Sequence, residues 1–314
     1  MAVKDSEGVY NLEMSPDTNS PGHSNWFFFT VSNAKMGQRV KFRILNFKKK
    51  DSLYNHSNGM KICYYSKKRF KKKEIGWTRG GSNHVYVQNE GYVENFNLDP
   101  KTVKRNLKKF SLEFEYTFEH NKDEVSFAYS FPYTYEDQVR DSHKWITRMK
   151  KIKEIAFKKK LLCYTLSGRK VFYFVSYKQQ KGNKKLNQLK DQKLIVFTAR
   201  VHPSESGSSY VMKGLMDELC KPDSQAASFL RDNFVILVVP MLNPDGVSIG
   251  NTRTSLSGYD LNKCWKSPDR FIHPEIFYTK KLLLGLARHN KIVFFSDFHM
   301  SSRKNGCFAY SCNV

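Results

Sequence analysis

The hydrophobic pattern changes once along this chain, and that change limits the possible folds more than any other feature of the sequence. Between residues 25 and 139, apolar and polar residues alternate over short segments bounded by Gly, Asn and Asp. A period of two is typical of strands that are buried on one face. The clearest of these segments are Trp26–Val31, Val40–Leu45, His84–Val87 and Leu112–Phe118. Residues 25–139 are therefore predicted to form an all-β, sandwich-like domain.

From residue 140 to 314, continuous apolar runs alternate with segments of helical spacing. The predicted strands are Lys170–Tyr177, Lys193–Ala199, Phe234–Pro240 and Ile292–Phe298, of which the last two are expected to be buried on both faces. The predicted helices are Asp137–Ile155, Ser209–Cys220 and Pro274–Asn290. This alternation predicts an α/β domain whose sheet is covered by helices. Residues 1–24 are polar and predict a flexible N-terminal tail.

The charge of the chain is strongly positive and unevenly distributed. There are 53 Lys and Arg residues against 29 Asp and Glu residues, a net charge of +24. Residues 144–193 hold 16 basic and two acidic residues, and residues 67–73 form a second basic cluster. Such surfaces attract polyanions, including acidic protein tails, although a lysine-rich surface also serves solubility alone. The clusters lack the arginine-rich, aromatic-interleaved pattern of nucleic-acid modules, so nucleic acid is the least favoured partner.

Membrane insertion and secretion are not indicated by the sequence. The longest apolar runs fall far short of the roughly 20 residues that span a bilayer, and the polar start has no hydrophobic core of a signal peptide. The six cysteines are scattered without a CxxC pair. They predict free thiols in a reducing compartment, and hence a cytoplasmic protein.

Three side chains near the ends of predicted strands are candidate metal ligands. His202 and Glu205 follow the strand Lys193–Ala199 with the spacing H-x-x-E, and His299 directly follows the strand Ile292–Phe298. The pair alone occurs often by chance. A catalytic zinc site, however, typically takes three protein ligands from His and carboxylate side chains, and strand ends in α/β sheets are where such sites form.

The order of several motifs in the second half of the chain resembles a known family. These are HPSES from residue 202, NPDGV from 243, GNTRTSLSGYDLN from 250 and DFH from 297. They are similar to the carboxypeptidase A-like zinc carboxypeptidases, and most of all to their cytosolic carboxypeptidase branch, which trims glutamates from tubulin and other acidic tails. Segments of the first domain, such as residues 26–29 and 127–135, resemble the amino-terminal β module of that branch.

The resemblance implies a role for each matching residue. Zn²⁺ would be held by His202, Glu205 and His299. Arg253 would polarise the scissile carbonyl, and Asn262 and Lys263 would bind the terminal carboxylate of the substrate. Asp260 would accept a hydrogen bond from a ligand histidine, with His202 as the expected donor. The implied location is the cytoplasm, with association to microtubules or cilia as a further expectation.

The sequence departs from the family pattern at three places. Lys263 stands where the family usually has Arg, which would bind a carboxylate bidentately. His299 is followed by Met-Ser-Ser, where the family commonly has Gly-His-Ser. The general base of the family is a Glu downstream of the third ligand, and no Glu follows His299. The favoured interpretation is an incomplete sequence of an active enzyme. The alternative is a catalytically inactive zinc-binding paralogue that binds acidic protein tails.

Overall fold

The computed structural model describes residues 2–55, 59–89, 109–179 and 191–311, and the chain forms two compact units. The first unit consists of Met1–Ser15, Ser24–Phe131 and Ser301–Val314, and the second of Pro16–His23 and Pro132–Met300. The main boundary therefore falls eight residues before the predicted one at 139/140. It precedes the first helix of the second unit, which begins at Tyr135 with a capping box formed by Thr134 and Asp137.

The first unit contains two sheets. The strands of one, in spatial order, are β1 (Ala2–Lys4), β2 (Tyr10–Leu12), β4 (Arg39–Phe47), β8 (Phe110–Thr117) and β7 (Ser82–Gln88). The strands of the other are β3 (Phe28–Ala34), β9 (Asp123–Ala128), β5 (Ile62–Ser66) and β6 (Thr78–Gly80). β2 and β4 are parallel, and the other described pairs of this unit are antiparallel. A short helix, α1, spans Lys67–Lys73, and a 3₁₀ turn spans Leu53–Asn55.

Aromatic rings fill the space between the two sheets of the first unit. Phe42 of β4 lies with its ring centroid 5.3 Å from those of Phe29 in β3 and Phe127 in β9. Phe114 of β8 lies 5.8 Å from Phe127. Because the alternate apolar residues of both sheets face each other, this unit has the sandwich-like, all-β architecture that the period of two predicts.

The prediction of a flexible tail over residues 1–24 is wrong. β1 and β2 form an antiparallel pair, and β2 continues the sheet by pairing with β4. The backbone of Met14 exchanges two hydrogen bonds with the buried side chain of Asn46. The polar composition of the segment concealed two buried apolar side chains, Val9 and Met14, which anchor it to the unit.

The second unit is built on one mixed sheet. Its strands, in spatial order, are β10 (Ile155–Tyr164), β11 (Lys170–Lys178), β13 (Val235–Val239), β12 (Lys193–Ala199) and β14 (Lys291–Phe298). β12 is parallel to both of its neighbours, whereas β10, β11 and β13 pair antiparallel. The helices are α2 (Tyr135–Met149), α3 (Ser206–Leu219), α4 (Gln225–Asn233), α5 (Pro244–Ile249) and α6 (Pro274–Ala287). β10 was not predicted, because its lysine-rich sequence lacks a continuous apolar run.

Helices cover both faces of this sheet. Alternate residues of β13 enter two different hydrophobic clusters, Leu237 in one and Ile236 in the other. The first cluster also contains Ile276 of α6, and the second contains Trp145 of α2 and Met212 of α3. The predicted α/β fold with a covered sheet is therefore confirmed.

The last strand differs from the prediction. β14 lies at the edge of the sheet, where β12 is its only partner among the described residues. Val293, Phe294 and Phe295 are 40–51% exposed, so the prediction that Ile292–Phe298 is a buried strand is wrong. An apolar run in the sequence predicts an apolar strand, but it does not show how many other strands pair with that strand.

Within the described residues, no helix combines the length and apolarity needed to cross a membrane. The described cysteines are Cys63, Cys163, Cys220, Cys264 and Cys307, and all five are free thiols. Of the basic stretch 144–193, residues 180–190 lie outside the described part of the chain.

Candidate metal centre

The predicted metal ligands lie where two parallel strands of the second unit end. β12 and β14 pair in parallel, so their carboxyl ends lie at the same edge of the sheet. His202 lies three residues beyond the end of β12, Glu205 is the N-cap residue of α3, and His299 directly follows β14. The sheet thus brings together residues that are 97 positions apart in sequence.

A buried arginine fixes the turn between β12 and α3. Arg200 has a left-handed backbone with φ of 58° and is only 2% exposed. Its Nε donates to the carbonyl of Pro203 at 2.8 Å, and its Nη1 donates to Oγ of Ser209 at 2.9 Å. Burial lowers the pKa of this guanidinium to about 10. One side chain therefore ties the middle of the turn that carries His202 and Glu205 to the first turn of α3.

The NPDGV segment supports the same turn from the other side. The side chain of Asn243 is fully buried, and its Nδ2 donates to the carbonyl of Val201 at 3.2 Å. At Gly246, an added Cβ would lie 2.4 Å from Cγ of Pro203 and 2.7 Å from the carbonyl oxygen of Thr254. Only glycine permits this close approach of three chain segments.

The three candidate ligands form one compact cluster. One ligand atom from each of His202, Glu205 and His299 lies within 4.8 Å of the other two. Nδ1 of His202 lies 2.9 Å from Oε1 of Glu205, and Nδ1 of His299 lies 2.9 Å from Oε2 of the same carboxylate. The backbone N–H of Met300 also donates to Oε2 of Glu205 at 3.0 Å, which fixes the carboxylate in place.

Each imidazole contacts a second carboxylate through Nε2, the ring nitrogen that does not face Glu205. Nε2 of His202 lies 3.0 Å from Oδ1 of Asp260, and Nε2 of His299 lies 3.0 Å from Oδ2 of Asp297. Oγ1 of Thr198 donates to the other oxygen of Asp297 at 2.7 Å. When Nε2–H donates to a carboxylate, the lone pair of Nδ1 faces the cluster, which is the tautomer that a metal requires.

The pKa values of the cluster reflect this concentration of charge. Burial alone would raise the pKa of Glu205, but hydrogen bonds from His202 and His299 lower it to about 2. Burial alone would lower the pKa of His299, but the hydrogen bonds to Asp297 and Glu205 raise it to about 10. The pKa of His202 is raised for the same reason, by Asp260 and Glu205.

The residues present fit a zinc ion. Two imidazole nitrogens and one carboxylate oxygen are the donor set of many catalytic zinc sites, with ligand distances of about 2.0–2.2 Å. Each Nδ1 lies 2.9 Å from an oxygen of Glu205, a separation that two ligands of one ion can have at such distances. Protons and a cation compete for the same imidazole nitrogens, so metal binding would release protons from the cluster.

Arg253 belongs to the same arrangement through Asp260. Its Nε donates to Oδ2 of Asp260 at 2.8 Å, while Oδ1 of that carboxylate faces His202. Burial alone would raise the pKa of Asp260, but His202 and Arg253 hold it well below its usual range. The terminal nitrogens of Arg253 have no recorded acceptor among the described residues, and the side chain is one-third exposed. They are available to a carbonyl or carboxylate of a ligand.

Asn262 and Lys263 lie close to Asp260 in sequence, but their side chains have no recorded contact with the cluster in the described part of the chain. Both are exposed and lie in the 3₁₀ turn Leu261–Lys263. The backbone N–H of Asn262 donates to Oδ1 of Asp260 at 3.1 Å. Their predicted role in binding a carboxylate remains a prediction.

One further contributor, Asp17, was not indicated by the sequence. Its carboxylate accepts hydrogen bonds from the backbone N–H groups of Thr252, Arg253 and Thr254. The segment Pro16–His23, which contains Asp17, belongs to the second unit although it lies early in the chain. No local pattern around residue 17 signals a partner that is more than 230 residues away.

Comparison with known proteins defines the class to which this fold and site belong. The zinc carboxypeptidase family model matches residues 132–303. The chain therefore belongs to the zinc carboxypeptidase family.

Within that class, the relatives in sequence are cytosolic carboxypeptidases. The chain is 37% identical over 316 aligned residues to cytosolic carboxypeptidase 2 of Xenopus tropicalis, covering 99% of the chain and 30% of the relative. It is 35% identical to human cytosolic carboxypeptidase 4, covering 100% of the chain and 28% of the relative. The chain thus spans less than a third of the length of these relatives.

Solved structures show the same fold over both units. A metallo-carboxypeptidase from Pseudomonas aeruginosa matches with a TM-score of 0.67 at 20% identity, covering 96% of this chain and 67% of that chain. A metallo-carboxypeptidase from Burkholderia cenocepacia matches with a TM-score of 0.65 at 18% identity, covering 94% of this chain and 66% of that chain. At these identities the likeness establishes the fold.

Proposed function

We propose that this protein is a zinc-dependent carboxypeptidase that removes C-terminal residues, glutamate above all, from acidic protein tails such as those of tubulin. The observation that carries the proposal is the cluster of His202, Glu205 and His299, in which both imidazoles present Nδ1 to one carboxylate. Family membership and the relatives named cytosolic carboxypeptidases support the reaction class and a cytoplasmic location. Association with microtubules or cilia is part of the same proposal.

The residues of the site would have separate roles in such a reaction. A zinc ion held by the three ligands would supply Lewis acidity and lower the pKa of a water molecule. Asp260 and Asp297 hold the two imidazoles in the ligating tautomer. Arg253 offers its terminal guanidinium nitrogens to the carbonyl oxygen of the scissile bond, where negative charge develops.

Recognition of the substrate's terminal carboxylate is assigned to Asn262 and Lys263. Both side chains are exposed, and they lie two and three positions after Asp260, the residue that holds Arg253. An amide N–H and an ammonium can together bind a carboxylate, although Lys provides a point charge and not the two-pronged fork of Arg.

The preference for acidic tails is supported by the charge of the protein. The net charge is +24, which favours association with polyanions and speeds their encounter. In the first unit, Lys68, Lys71 and Lys72 of α1 line an open cavity of about 410 Å³, together with Met36, His120 and Asn121. The three lysines have helical spacing and share one side of α1.

A second candidate function is binding of acidic tails without cleavage. The observation that favours it is the net charge of the chain, +24, because such a charge attracts acidic tails whether or not the bound tail is cleaved.

One experiment separates the two functions. The protein is loaded with one equivalent of Zn²⁺ and incubated with a peptide that ends in a run of glutamates, and the products are followed by mass spectrometry. Stepwise loss of glutamate supports the carboxypeptidase, and retention of the intact peptide on immobilised protein supports the binding protein.

Two variants make the result specific. His202→Ala is expected to abolish cleavage, whereas His143→Ala, which removes an exposed histidine of α2, is expected to leave it intact. Absence of both cleavage and retention in the unaltered protein would overturn both functions.

A further inference from the structure

The segment Pro16–His23 forms a strap across the loop that carries Arg253. Its residue Asp17 is only 4% exposed. Oδ1 of Asp17 accepts from the backbone N–H of Thr252 at 2.6 Å, and Oδ2 accepts from those of Arg253 at 2.7 Å and Thr254 at 2.8 Å. Oγ1 of Thr254 adds a fourth hydrogen bond to Oδ2 at 3.1 Å. One carboxylate thus satisfies three consecutive backbone donors.

Further contacts hold the strap to the same loop. The N–H and the hydroxyl of Thr18 donate to Oδ1 of Asn251 at 3.0 and 3.2 Å. Nδ2 of Asn19 donates to the carbonyl of Leu256 at 2.9 Å. At Gly258, which has φ of +82°, an added Cβ would lie 2.4 Å from the carbonyl oxygen of Asn19. The strap therefore contacts the loop near both ends of the loop, at Asn251 and at Leu256 and Gly258.

The loop held in this way is connected to the metal centre. The carbonyl of Thr252 accepts from the backbone N–H of Ser204, which lies between His202 and Glu205. The side chain of the next residue, Arg253, is held by Asp260. Arg253 is therefore fixed at its backbone by Asp17 and at its Nε by the carboxylate that also faces His202.

We propose that Asp17 is a positioning residue for Arg253, so that the strap sets where the terminal guanidinium nitrogens point. Hydrogen bonds from N–H groups to an ionised carboxylate are stronger than neutral ones. Three of them on consecutive residues leave the backbone of Arg253 little freedom. Without this carboxylate, three N–H donors of the loop would lose their acceptor, and the guanidinium would sample other directions.

The test compares Asp17→Asn with a matched control, Asp123→Asn. In Asp17→Asn, the amide would keep the shape of the side chain, but it would lose the charge and turn an NH₂ group toward N–H donors. Asp123 is also a buried aspartate that accepts from backbone N–H groups, those of Lys68 and Glu124, but it lies in the first unit. The Asp123→Asn variant therefore shows how much of any change comes from a general loss of stability.

Two readouts do not depend on activity. Hydrogen exchange at residues 252–254 is expected to accelerate at least about tenfold in Asp17→Asn and to stay unchanged in Asp123→Asn. The rate at which an arginine-selective glyoxal modifies Arg253, mapped by mass spectrometry, is expected to change several-fold only in Asp17→Asn. Unchanged exchange and modification in a folded Asp17→Asn protein would overturn the proposal.

A kinetic readout rests on the proposed carboxypeptidase function. Asp17→Asn is expected to lower kcat about tenfold or more with a smaller change in KM, because Arg253 acts on charge that develops in the transition state. In an Arg253→Ala background, the same substitution is expected to have no further effect on kcat. If the two effects multiply instead, Asp17 does not act through Arg253. If the unaltered protein does not cleave, the proposed function fails, while exchange and modification still decide the role of Asp17.

Discussion

Asp260 joins His202 to Arg253: one of its oxygens lies 3.0 Å from Nε2 of the histidine, and the other accepts from Nε of the arginine at 2.8 Å. A single carboxylate therefore orients one candidate metal ligand and one candidate substrate-binding cation. Any movement of Asp260 changes both the tautomer of His202 and the direction of Arg253. The metal centre and the candidate oxyanion-binding group are thus mechanically coupled.

Asp260→Asn is expected to weaken zinc binding by about 10- to 100-fold, because the amide no longer fixes the ligating tautomer of His202. The measurement is competition for Zn²⁺ against a chromogenic chelator. Asp297→Asn, which changes the carboxylate beside His299 and leaves Asp260 intact, is expected to weaken zinc binding similarly while leaving Arg253 in place. Asp223→Asn, at an exposed residue, serves as the control. Unaltered zinc affinity in Asp260→Asn would contradict this role.

Gly246→Ala is expected to destabilise the protein by about 1–3 kcal/mol, because the new methyl group overlaps Pro203 and the carbonyl of Thr254. The matched variant is Gly285→Ala in α6, where an added Cβ meets nothing within 4 Å. It is expected to stabilise the protein by about 0.5–1 kcal/mol, since alanine favours a helix interior. Chemical denaturation measures both changes, and equal effects of the two substitutions would refute the close approach.

Glu275 near the start of α6 is expected to make stability depend on pH. It is 2% exposed, and its Oε2 has no hydrogen-bond partner among the described residues. Burial, together with the charge of Asp245, raises its pKa from 4.5 to about 8. Between pH 4.5 and 8 the unfolded chain releases a proton that the folded protein retains. Protonated Glu275 therefore contributes most to the free energy of unfolding below pH 4.5, and this contribution is lost as the pH rises to 8.

The test compares the unaltered protein with Glu275→Gln, whose amide does not titrate. As the pH rises from 4.5 to 8, the free energy of unfolding of the unaltered protein is expected to fall relative to that of Glu275→Gln, by up to about 1.4 kcal/mol per pH unit. Urea denaturation at pH 5, 6.5 and 8 measures it, with Glu119→Gln at an exposed position as the control. A difference that does not vary with pH would show that Glu275 ionises normally.

Neutralising three lysines of the α1 cavity is expected to weaken binding of a glutamate-rich peptide several-fold, and more strongly at low salt. The variant is Lys68→Gln, Lys71→Gln and Lys72→Gln combined. Fluorescence anisotropy is measured with a C-terminally amidated peptide, because the amide prevents capture by the terminal-carboxylate site. The control combines Lys150→Gln, Lys151→Gln and Lys153→Gln, which removes the same charge from an exposed stretch of the second unit. Equal losses in both variants would assign the effect to net charge alone.

Local patterns in the sequence were sufficient to select His202, Glu205 and His299 as candidate metal ligands, which the structure brings together in one cluster. β12 has the predicted bounds, Lys193–Ala199, because its residues are apolar and β-branched and a turn follows at once. A strand that ends shortly before H-x-x-E, and a second strand that ends just before His299, bring the three ligands to one edge of a parallel pair. The order of the motifs along the chain then favoured a metal site over a chance match.

Other features depend on contacts between distant segments and left no local trace. Asp17 lies in a polar stretch that predicts a tail, yet its partners are the backbone donors of residues 252–254. The exposure of β14 depends on how many strands neighbour it, which an apolar run does not encode. The lysine-rich β10 is a strand because β11 pairs with it along its length, a tertiary effect that overrides composition.

We propose that His202, Glu205 and His299 form one zinc site. The most direct measurement is the zinc content of the purified protein by elemental mass spectrometry after dialysis against a weak chelator. We expect one zinc per chain, its loss in His202→Ala and in His299→Ala, and its retention in His143→Ala. Full zinc loading in both ligand variants, or no zinc in the folded, unaltered protein, would contradict a zinc site formed by these three residues.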